Sequence, residues 1–174
     1  MPVDFFIPGC KTTTVKNKFG LCDDPPPAKS PAYIDEDTPE EWIAEVENEN
    51  EFSVDLYAID NCIGILRPNG EMESRCDCML HYNNSLIFAE LKDRASSGWL
   101  SKGSKQVSIT ISKFKESHNI NDFDKVEAYV CNKQRPLAIM GSNTTVQKFK
   151  DETGLTLIPD RNIKLCKSKN LPLA

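Results

Sequence analysis

The sequence predicts a mixed α/β domain, with a central sheet flanked by helices, over residues 38–174, preceded by an irregular arm over residues 1–37. Three observations predict this fold class. A length of 174 residues matches one domain of ordinary size. The segments follow the order helix, three strands, helix, strand, helix and strand, which is typical of an α/β protein. No apolar run approaches the roughly 18–20 residues that a membrane span requires.

The arm is predicted to be irregular because residues 11–18 are polar and because three consecutive prolines beginning at Pro25 favour extended backbone. The first helix is predicted to begin at Thr38. Thr38 would cap it, with Pro39 at the first helical position and Glu41 completing a capping box. Its apolar stripe would consist of Trp42, Ile43 and Val46.

Three strands are predicted next, over residues 52–65, 73–82 and 85–92, because these segments are rich in β-branched, aromatic and other apolar residues. Asn83 and Asn84 separate the second strand from the third. Asparagine tolerates the positive φ that a two-residue hairpin turn requires, so we expect these two strands to form a tight hairpin.

A loop over residues 93–103 and a second helix over residues 104–115 are predicted after the hairpin. The helix is indicated by apolar residues at helical spacing, namely Val107, Ile111 and Phe114. A strand is the alternative, because the segment also contains several β-branched residues. The remaining predicted elements are a strand over 124–131, a short helix over 144–152 and a strand over 155–158.

The hairpin register predicts a functional site. If the turn has two residues, Tyr82 pairs with Ser85, and Asp77 stands directly opposite Glu90. Strand alternation then places Asp77, Glu90 and Lys92 on one face of the hairpin. The other face is apolar and is predicted to lie in the core; it carries Cys76, Cys78, Leu80, Ile87, Ala89 and Leu91.

Two carboxylates this close repel each other, so the site needs a cation or a proton. Mg²⁺ prefers such hard oxygen ligands, usually one or two carboxylates together with a substrate phosphate. A lysine beside the metal can orient a water and stabilise developing negative charge. The arrangement therefore predicts metal-assisted hydrolysis of a phosphodiester. The alternative interpretation is a solvated salt-bridge cluster, which the apolar neighbours of both carboxylates disfavour.

Asp77, followed after the hairpin by Glu90-Leu91-Lys92, resembles the Asp…Glu-x-Lys signature of the PD-(D/E)xK nuclease superfamily. The predicted elements from residue 38 to 131 are similar to the restriction-endonuclease-like core of that family. The resemblance implies a metal-dependent DNA endonuclease of DNA repair, recombination or defence. It implies Mg²⁺, or alternatively Mn²⁺, held by Asp77 and Glu90, with Lys92 near the attacking water.

The resemblance also implies a supporting role for Gln106, which matches a Gln or Lys on the following helix in many members. Thr110 stands where the family often has an aromatic residue, which is a departure from the pattern. Many members place a glutamate of the first helix near the metal. Here Glu45 and Glu49 are both candidates, and the sequence does not choose between them.

The charge distribution predicts where nucleic acid would bind. The net charge of −5 argues against a surface covered with phosphate contacts. Basic residues are nevertheless concentrated over residues 92–115, where six of them stand against one acidic residue. We expect DNA, with RNA as an open alternative, to be contacted by Arg94, Lys102, Lys105 and Lys113.

The acidic segment over residues 35–55 holds ten acidic residues and no basic one. This segment favours a second hypothesis, in which the chain is a catalytically inactive nuclease-fold module that binds a protein partner. A homodimer is a further open alternative, because many enzymes that cut both strands of a duplex act as twofold dimers.

Seven cysteines leave at least one thiol unpaired within the chain. The simplest interpretation is that the thiols are reduced and that the protein is cytoplasmic. A zinc site that includes Cys76 and Cys78 is an alternative, although no paired CxxC or histidine spacing accompanies them.

Overall fold

The computed structural model describes residues 2–136 and 142–167 of the chain. These residues form an α/β structure with two mixed sheets and two α-helices, which confirms the predicted fold class at that level. The strands are β1 (Lys11–Thr14), β2 (Lys18–Cys22), β3 (Tyr33–Asp35), β4 (Ala44–Glu47), β5 (Val54–Ala58), β6 (Cys78–Tyr82), β7 (Ser85–Lys92), β8 (Lys125–Asn132), β9 (Leu157–Ile158) and β10 (Asn162–Lys164). The helices are α1 (Trp99–Ser117) and α2 (Ser142–Thr153).

The ten strands divide into a larger sheet of order β1-β5-β6-β7-β8-β9 and a smaller sheet of order β10-β4-β2-β3. In the larger sheet β7, β8 and β9 run parallel to one another, and the pairs from β1 to β7 are antiparallel. Neither α-helix in the described ranges has the length and apolar content that crossing a lipid bilayer demands.

Two hydrophobic cores hold three layers together. The helices pack on one face of the larger sheet, where Phe88 and Met79 meet Val107 and Phe114 of α1. The smaller sheet packs on the opposite face, so every residue of β7 is buried. Burial on both faces explains why β7 is a nearly continuous apolar run, as is typical of a central strand with a parallel neighbour.

The hairpin register predicted from the two asparagines is confirmed. Asn83 and Asn84 have positive φ values of 43° and 55°, and Tyr82 pairs with Ser85. The register continues without a bulge to the pair of Cys78 with Ala89. The second strand is shorter than predicted, because regular pairing begins only at Cys78.

The prediction of an α-helix after Thr38 was wrong. Pro39–Glu41 forms one turn of 3-10 helix, and the chain then enters strand β4. In β4 the exposure alternates, with Ala44 and Val46 buried and the two glutamates only partly so. This period of two suits a strand, and pairing of β4 with β2 on one side and β10 on the other overrides the local capping signal.

The prediction of an irregular arm over residues 1–37 was also wrong in part. Three strands, β1, β2 and β3, lie within it. Strand β1 joins the edge of the larger sheet, whereas β2 and β3 belong to the smaller one. Their short lengths and polar residues hide the strand pattern, and the long-range partners that stabilise them are not visible in local sequence.

The later elements agree with the sequence more closely. Helix α1 contains the predicted helix over 104–115 but begins at Trp99, inside the segment predicted as a loop. Strands β8 and β9 and helix α2 occur where the sequence predicts them, within a few residues at each end. Strand β10 lies in a segment for which no element was predicted.

The expectation that all the cysteines are reduced thiols is not met, because Cys10 and Cys62 form a disulfide. They are 52 residues apart in sequence, and pairing of β1 with β5 brings their Cα atoms within 5.9 Å. The cytoplasmic location stays a prediction, and disulfides are more usual in oxidising compartments. The other five cysteines are free.

Candidate active site

The site lies where β6 begins and β7 ends, at one end of the two central strands of the larger sheet. Asp77 immediately precedes β6, and the hairpin register places it opposite Glu90. Oδ2 of Asp77 accepts a hydrogen bond of 2.6 Å from the backbone N–H of Leu91. Asp77 is 6% exposed and Glu90 2% exposed, so the two carboxylates are not a solvated surface pair.

Lys92 forms an ion pair with Glu90 from the end of β7, the strand that also carries Glu90. Its ammonium lies 2.5 Å from Oε1 of Glu90 and donates a hydrogen bond of 2.7 Å to Oε1 of Gln106. Although it carries a charge, Lys92 is only 8% exposed. The structure thus brings together the four residues predicted from the sequence to form the site: Asp77, Glu90, Lys92 and Gln106.

Helix α1 reaches the site because it packs closely on the sheet. A Cβ added at Gly103 would lie 2.7 Å from Cγ1 of Val130 and 3.3 Å from Cγ of Glu90. The lack of a side chain at Gly103 therefore allows the first turns of α1 to approach the Glu90 side chain. One turn further along, Nε2 of Gln106 donates a hydrogen bond of 3.2 Å to the carbonyl of Arg75, which ties the helix to the segment before β6.

Thr110 fixes that same segment from the next turn of α1. Its hydroxyl accepts a hydrogen bond of 2.8 Å from the backbone N–H of Cys76 and donates one of 2.9 Å to the carbonyl of Gln106. Thr110 is completely buried. Thr110 thus has a structural role, because its hydroxyl anchors the residue before Asp77.

Replacing Thr110 with valine should destabilise the protein by about 1–3 kcal/mol, because the valine keeps the shape but leaves a buried N–H without an acceptor. Urea unfolding measures the change. The matched control is Thr13→Val, since the Thr13 hydroxyl bonds Asp55 on an exposed edge. That variant should stay within about 0.5 kcal/mol of wild type. Equal effects at the two positions would contradict the anchoring role.

Burial raises the pKa of both carboxyl groups. The pKa of Glu90 rises from its ordinary 4.5 to about 7, and the nearby ammonium of Lys92 opposes this rise. Burial, followed by the charge of Glu90, raises the pKa of Asp77 well above its usual range, although the hydrogen bond from Leu91 opposes the shift. Ionising a buried carboxyl group costs free energy, and a bound cation would offset this cost by stabilising the charged form.

Three further residues of the site were missed in the sequence. Asp60 follows β5 at the same end of the sheet and pairs with Arg75, with Oδ1 2.6 Å from Nη2. Asp23 follows β2 of the smaller sheet, and its negative charge contributes to the raised pKa of Asp77. Burial and the charge of Asp60 raise the pKa of Asp23 to about 6. Only the pairing of distant strands brings these groups together.

The chemistry of the donor set fits a hard divalent cation. Among the residues that the structure describes, buried Oε2 of Glu90 has no hydrogen-bond partner, so this oxygen is available as a metal ligand. Across residues 2–136 and 142–167, no three His, Cys, Asp or Glu side chains are grouped as a ready metal cage. Mg²⁺ is commonly bound by two protein carboxylates, with waters and a substrate phosphate as its other ligands.

The two glutamates predicted to approach the metal from a first helix do not lie on a helix. Glu45 is in β4 of the smaller sheet, and its carboxylate lies 3.0 Å from the ammonium of Lys18. Glu49 is exposed beyond the end of β4. Because the helix is absent, the prediction that one of them projects from it toward the metal was wrong in its premise.

The predicted nucleic-acid contacts divide into two groups. Arg94, Lys102 and Lys105 are exposed, on the loop after β7 and on the first turns of α1. Lys113 lies ten residues beyond Gly103, about 15 Å along the helix. Its ammonium is 3.0 Å from Oε1 of Glu116, so the structure does not bring Lys113 to the site.

The zinc alternative gains no support from the positions of its two cysteines. Cys76 packs in the core beneath the helices, and Cys78 packs in the core between the two sheets. Their thiols therefore lie in different hydrophobic cores. Burial raises the pKa of each thiol well above its usual value. Zinc ligation requires thiolates, which these sites disfavour.

Comparisons of the chain with protein-family models, with curated proteins and with solved structures gave no match. The geometry of the residues themselves is therefore the basis for assigning a function.

Proposed function

We propose that the protein is a Mg²⁺-dependent nuclease of the PD-(D/E)xK type that hydrolyses phosphodiester bonds in DNA. One observation carries this proposal. Asp77, Glu90 and Lys92, with Gln106 behind the lysine, meet in a buried cluster at the ends of two central strands. Within the described part of the chain, Oε2 of Glu90 has no hydrogen-bond partner there. A structural ion pair would use all its oxygens, whereas an unused buried oxygen suits a ligand that arrives with the substrate.

The element order supports the same proposal. Strands β5, β6 and β7 form an antiparallel meander, α1 follows, and β8 returns parallel to β7. This succession is similar to the restriction-endonuclease-like core without its first helix. The place of that helix in the chain is taken here by β4 of the smaller sheet.

The chain's own residues have distinct roles in the proposed reaction. Asp77 and Glu90 would hold the metal, which when bound polarises the scissile phosphate. The ammonium of Lys92 stabilises negative charge developing on that phosphate and orients the attacking water. Gln106 and Glu90 hold the ammonium in place. The water oxygen bonds to phosphorus, the bond to the leaving alcohol breaks, and one proton passes overall from water to alcohol.

A cleavage assay tests the proposal. Labelled duplex DNA, single-stranded DNA, RNA and supercoiled plasmid are incubated with the protein in Mg²⁺, Mn²⁺ or EDTA. We expect DNA cleavage with either metal and none in EDTA. Asp77→Asn should lose the activity because it removes a ligand charge. Asp55→Asn is the matched control, since Asp55 lies in β5 and bonds the exposed Thr13; it should cleave like wild type.

If folded wild-type protein leaves every substrate intact with both metals, the enzymatic proposal is wrong. The same conclusion follows if Asp77→Asn, purified identically, cleaves as fast as wild type, because the activity would then come from a contaminant or another site.

A module that binds a basic protein partner is the second candidate. Exposed carboxylates without an ion-pair partner in the described residues favour it: Glu40, Glu41, Glu49 and Glu51. Reversing their charges to lysine should abolish partner capture without changing cleavage if both functions exist.

A further inference from the structure

Two loops meet beside the candidate site because they follow neighbouring parallel strands. Strand β7 ends at Lys92 and β8 ends at Asn132, and these two residues are paired in register. The backbone N–H of Lys133 donates a hydrogen bond of 2.9 Å to the carbonyl of Lys92. The loop over residues 93–98 therefore lies next to residues 133–136, and we name these two segments together the rim.

Asn132 joins the two halves of the rim. It is completely buried, and its Nδ2 donates a hydrogen bond of 2.8 Å to the carbonyl of Arg94. Its Oδ1 accepts hydrogen bonds from the backbone N–H groups of Arg94, at 3.3 Å, and Gln134, at 3.1 Å. One amide thus satisfies backbone groups of both loops, which makes the rim a single ordered unit next to Lys92.

The rim carries more positive than negative charge. It contains Arg94, Lys133 and Arg135, and its carboxylate, Asp93, accepts a hydrogen bond from the Gln134 amide. In the parts of the chain that the structure describes, none of these three cations lies within ion-pair distance of a carboxylate. Nη2 of Arg135 donates to the carbonyl of Ala95 at 3.1 Å, which orients the guanidinium across the rim and leaves its other N–H groups for a ligand.

The rim has no aromatic residue among positions 93–98 and 133–136. Trp99, the first residue of α1, packs against the core beneath the helices instead of projecting freely. Proteins that bind single strands usually stack bases on aromatic side chains. A cationic surface without aromatic side chains is suited to the phosphates of a duplex, whose bases are already stacked.

We propose that the rim binds the phosphate backbone of duplex DNA and leads one strand toward Lys92, using Arg94, Lys133 and Arg135. This inference rests on the proposed function, since it names the form of substrate that the site would receive. Recognition through phosphates alone makes the binding independent of base sequence. It assigns Lys133 and Arg135 to the interface and removes Lys113 from it.

Fluorescence anisotropy of a labelled 20-base-pair duplex tests the rim in EDTA, so that binding is measured without cleavage. The association constant is followed from 50 to 200 mM salt for wild type, Arg94→Gln and Arg135→Gln. Each variant should bind more weakly, and the slope of log K against log salt should fall by about one for each phosphate that the variant no longer neutralises. Lys113→Gln is the matched control and should retain the wild-type affinity and slope.

The rim proposal is overturned if wild type fails to bind the duplex, or if both arginine variants keep its affinity and slope. Tighter binding of a single strand of the same length would also overturn it. The outcome is distinguishable from failure of the nuclease proposal. Salt-dependent duplex binding that is weakened in the arginine variants supports the rim even where the wild type cleaves nothing in Mg²⁺.

Discussion

Glu90→Gln is expected to lose cleavage and, at the same time, to become more stable than wild type at pH 8 in the absence of metal. Glutamine preserves the size of the side chain and still offers an acceptor to Lys92. It removes the charge that burial disfavours and that the proposed metal requires. Loss of a metal ligand that contributes several kcal/mol to the transition state corresponds to a fall in rate of about a thousandfold or more.

The gain in stability depends on pH in a defined direction. The pKa of Glu90 is about 7 in the folded protein and 4.5 ordinarily. Between these values the folded protein holds a proton that the unfolded chain has lost, so the free energy of unfolding falls as pH rises. From pH 5 to pH 8 wild type should lose about 2–3 kcal/mol relative to Glu90→Gln.

Urea unfolding of both proteins in EDTA at several pH values measures this difference. Glu116→Gln is the control for the substitution itself, because Glu116 is exposed on α1, and its stability should stay within about 0.5 kcal/mol of wild type. A constant gap between wild type and Glu90→Gln would mean that the carboxyl is ionised without cost. A bound cation would then gain nothing from offsetting the cost of ionising Glu90.

The core of this site could be predicted because it depends on local geometry. A two-residue turn determines every pair in a hairpin, so Asp77 and Glu90 follow from the positions of Asn83 and Asn84 alone. Gln106 followed from the resemblance to the nuclease family, which places a Gln or Lys on the helix after this hairpin. Asp23 and Asp60 could not be found in this way, because their positions depend on pairing between strands far apart in sequence.

The smaller sheet was missed for the same physical reason. Its strands have three to five residues each, and none is held by a hairpin turn of two residues. The segment after Thr38 carries a good helix-capping signal, worth about 1 kcal/mol. Pairing of β4 on both sides and burial of Val46 and Trp42 outweigh that local preference.

Gly20→Ala is expected to destabilise the protein by about 3 kcal/mol or more, because the methyl group has no space. A Cβ at Gly20 would lie 2.0 Å from Cγ of Trp42, which means that the indole rests directly on the β2 backbone. The ring cannot move away easily. It is 2% exposed, and its Nε1 donates a hydrogen bond of 2.8 Å to Asp35.

Gly9→Ala provides the matched control, since a Cβ there would meet nothing within 4 Å, and its stability should stay within about 0.5 kcal/mol of wild type. Urea unfolding measures the stability of the two variants, and equal effects would mean that the indole does not lie on β2.

The Gly20 substitution should also affect the candidate active site. Strand β2 leads directly into Asp23, so a displaced β2 moves a negative charge that raises the pKa of Asp77. Gly20→Ala protein that still folds should therefore show altered metal dependence of cleavage, whereas Gly9→Ala should not.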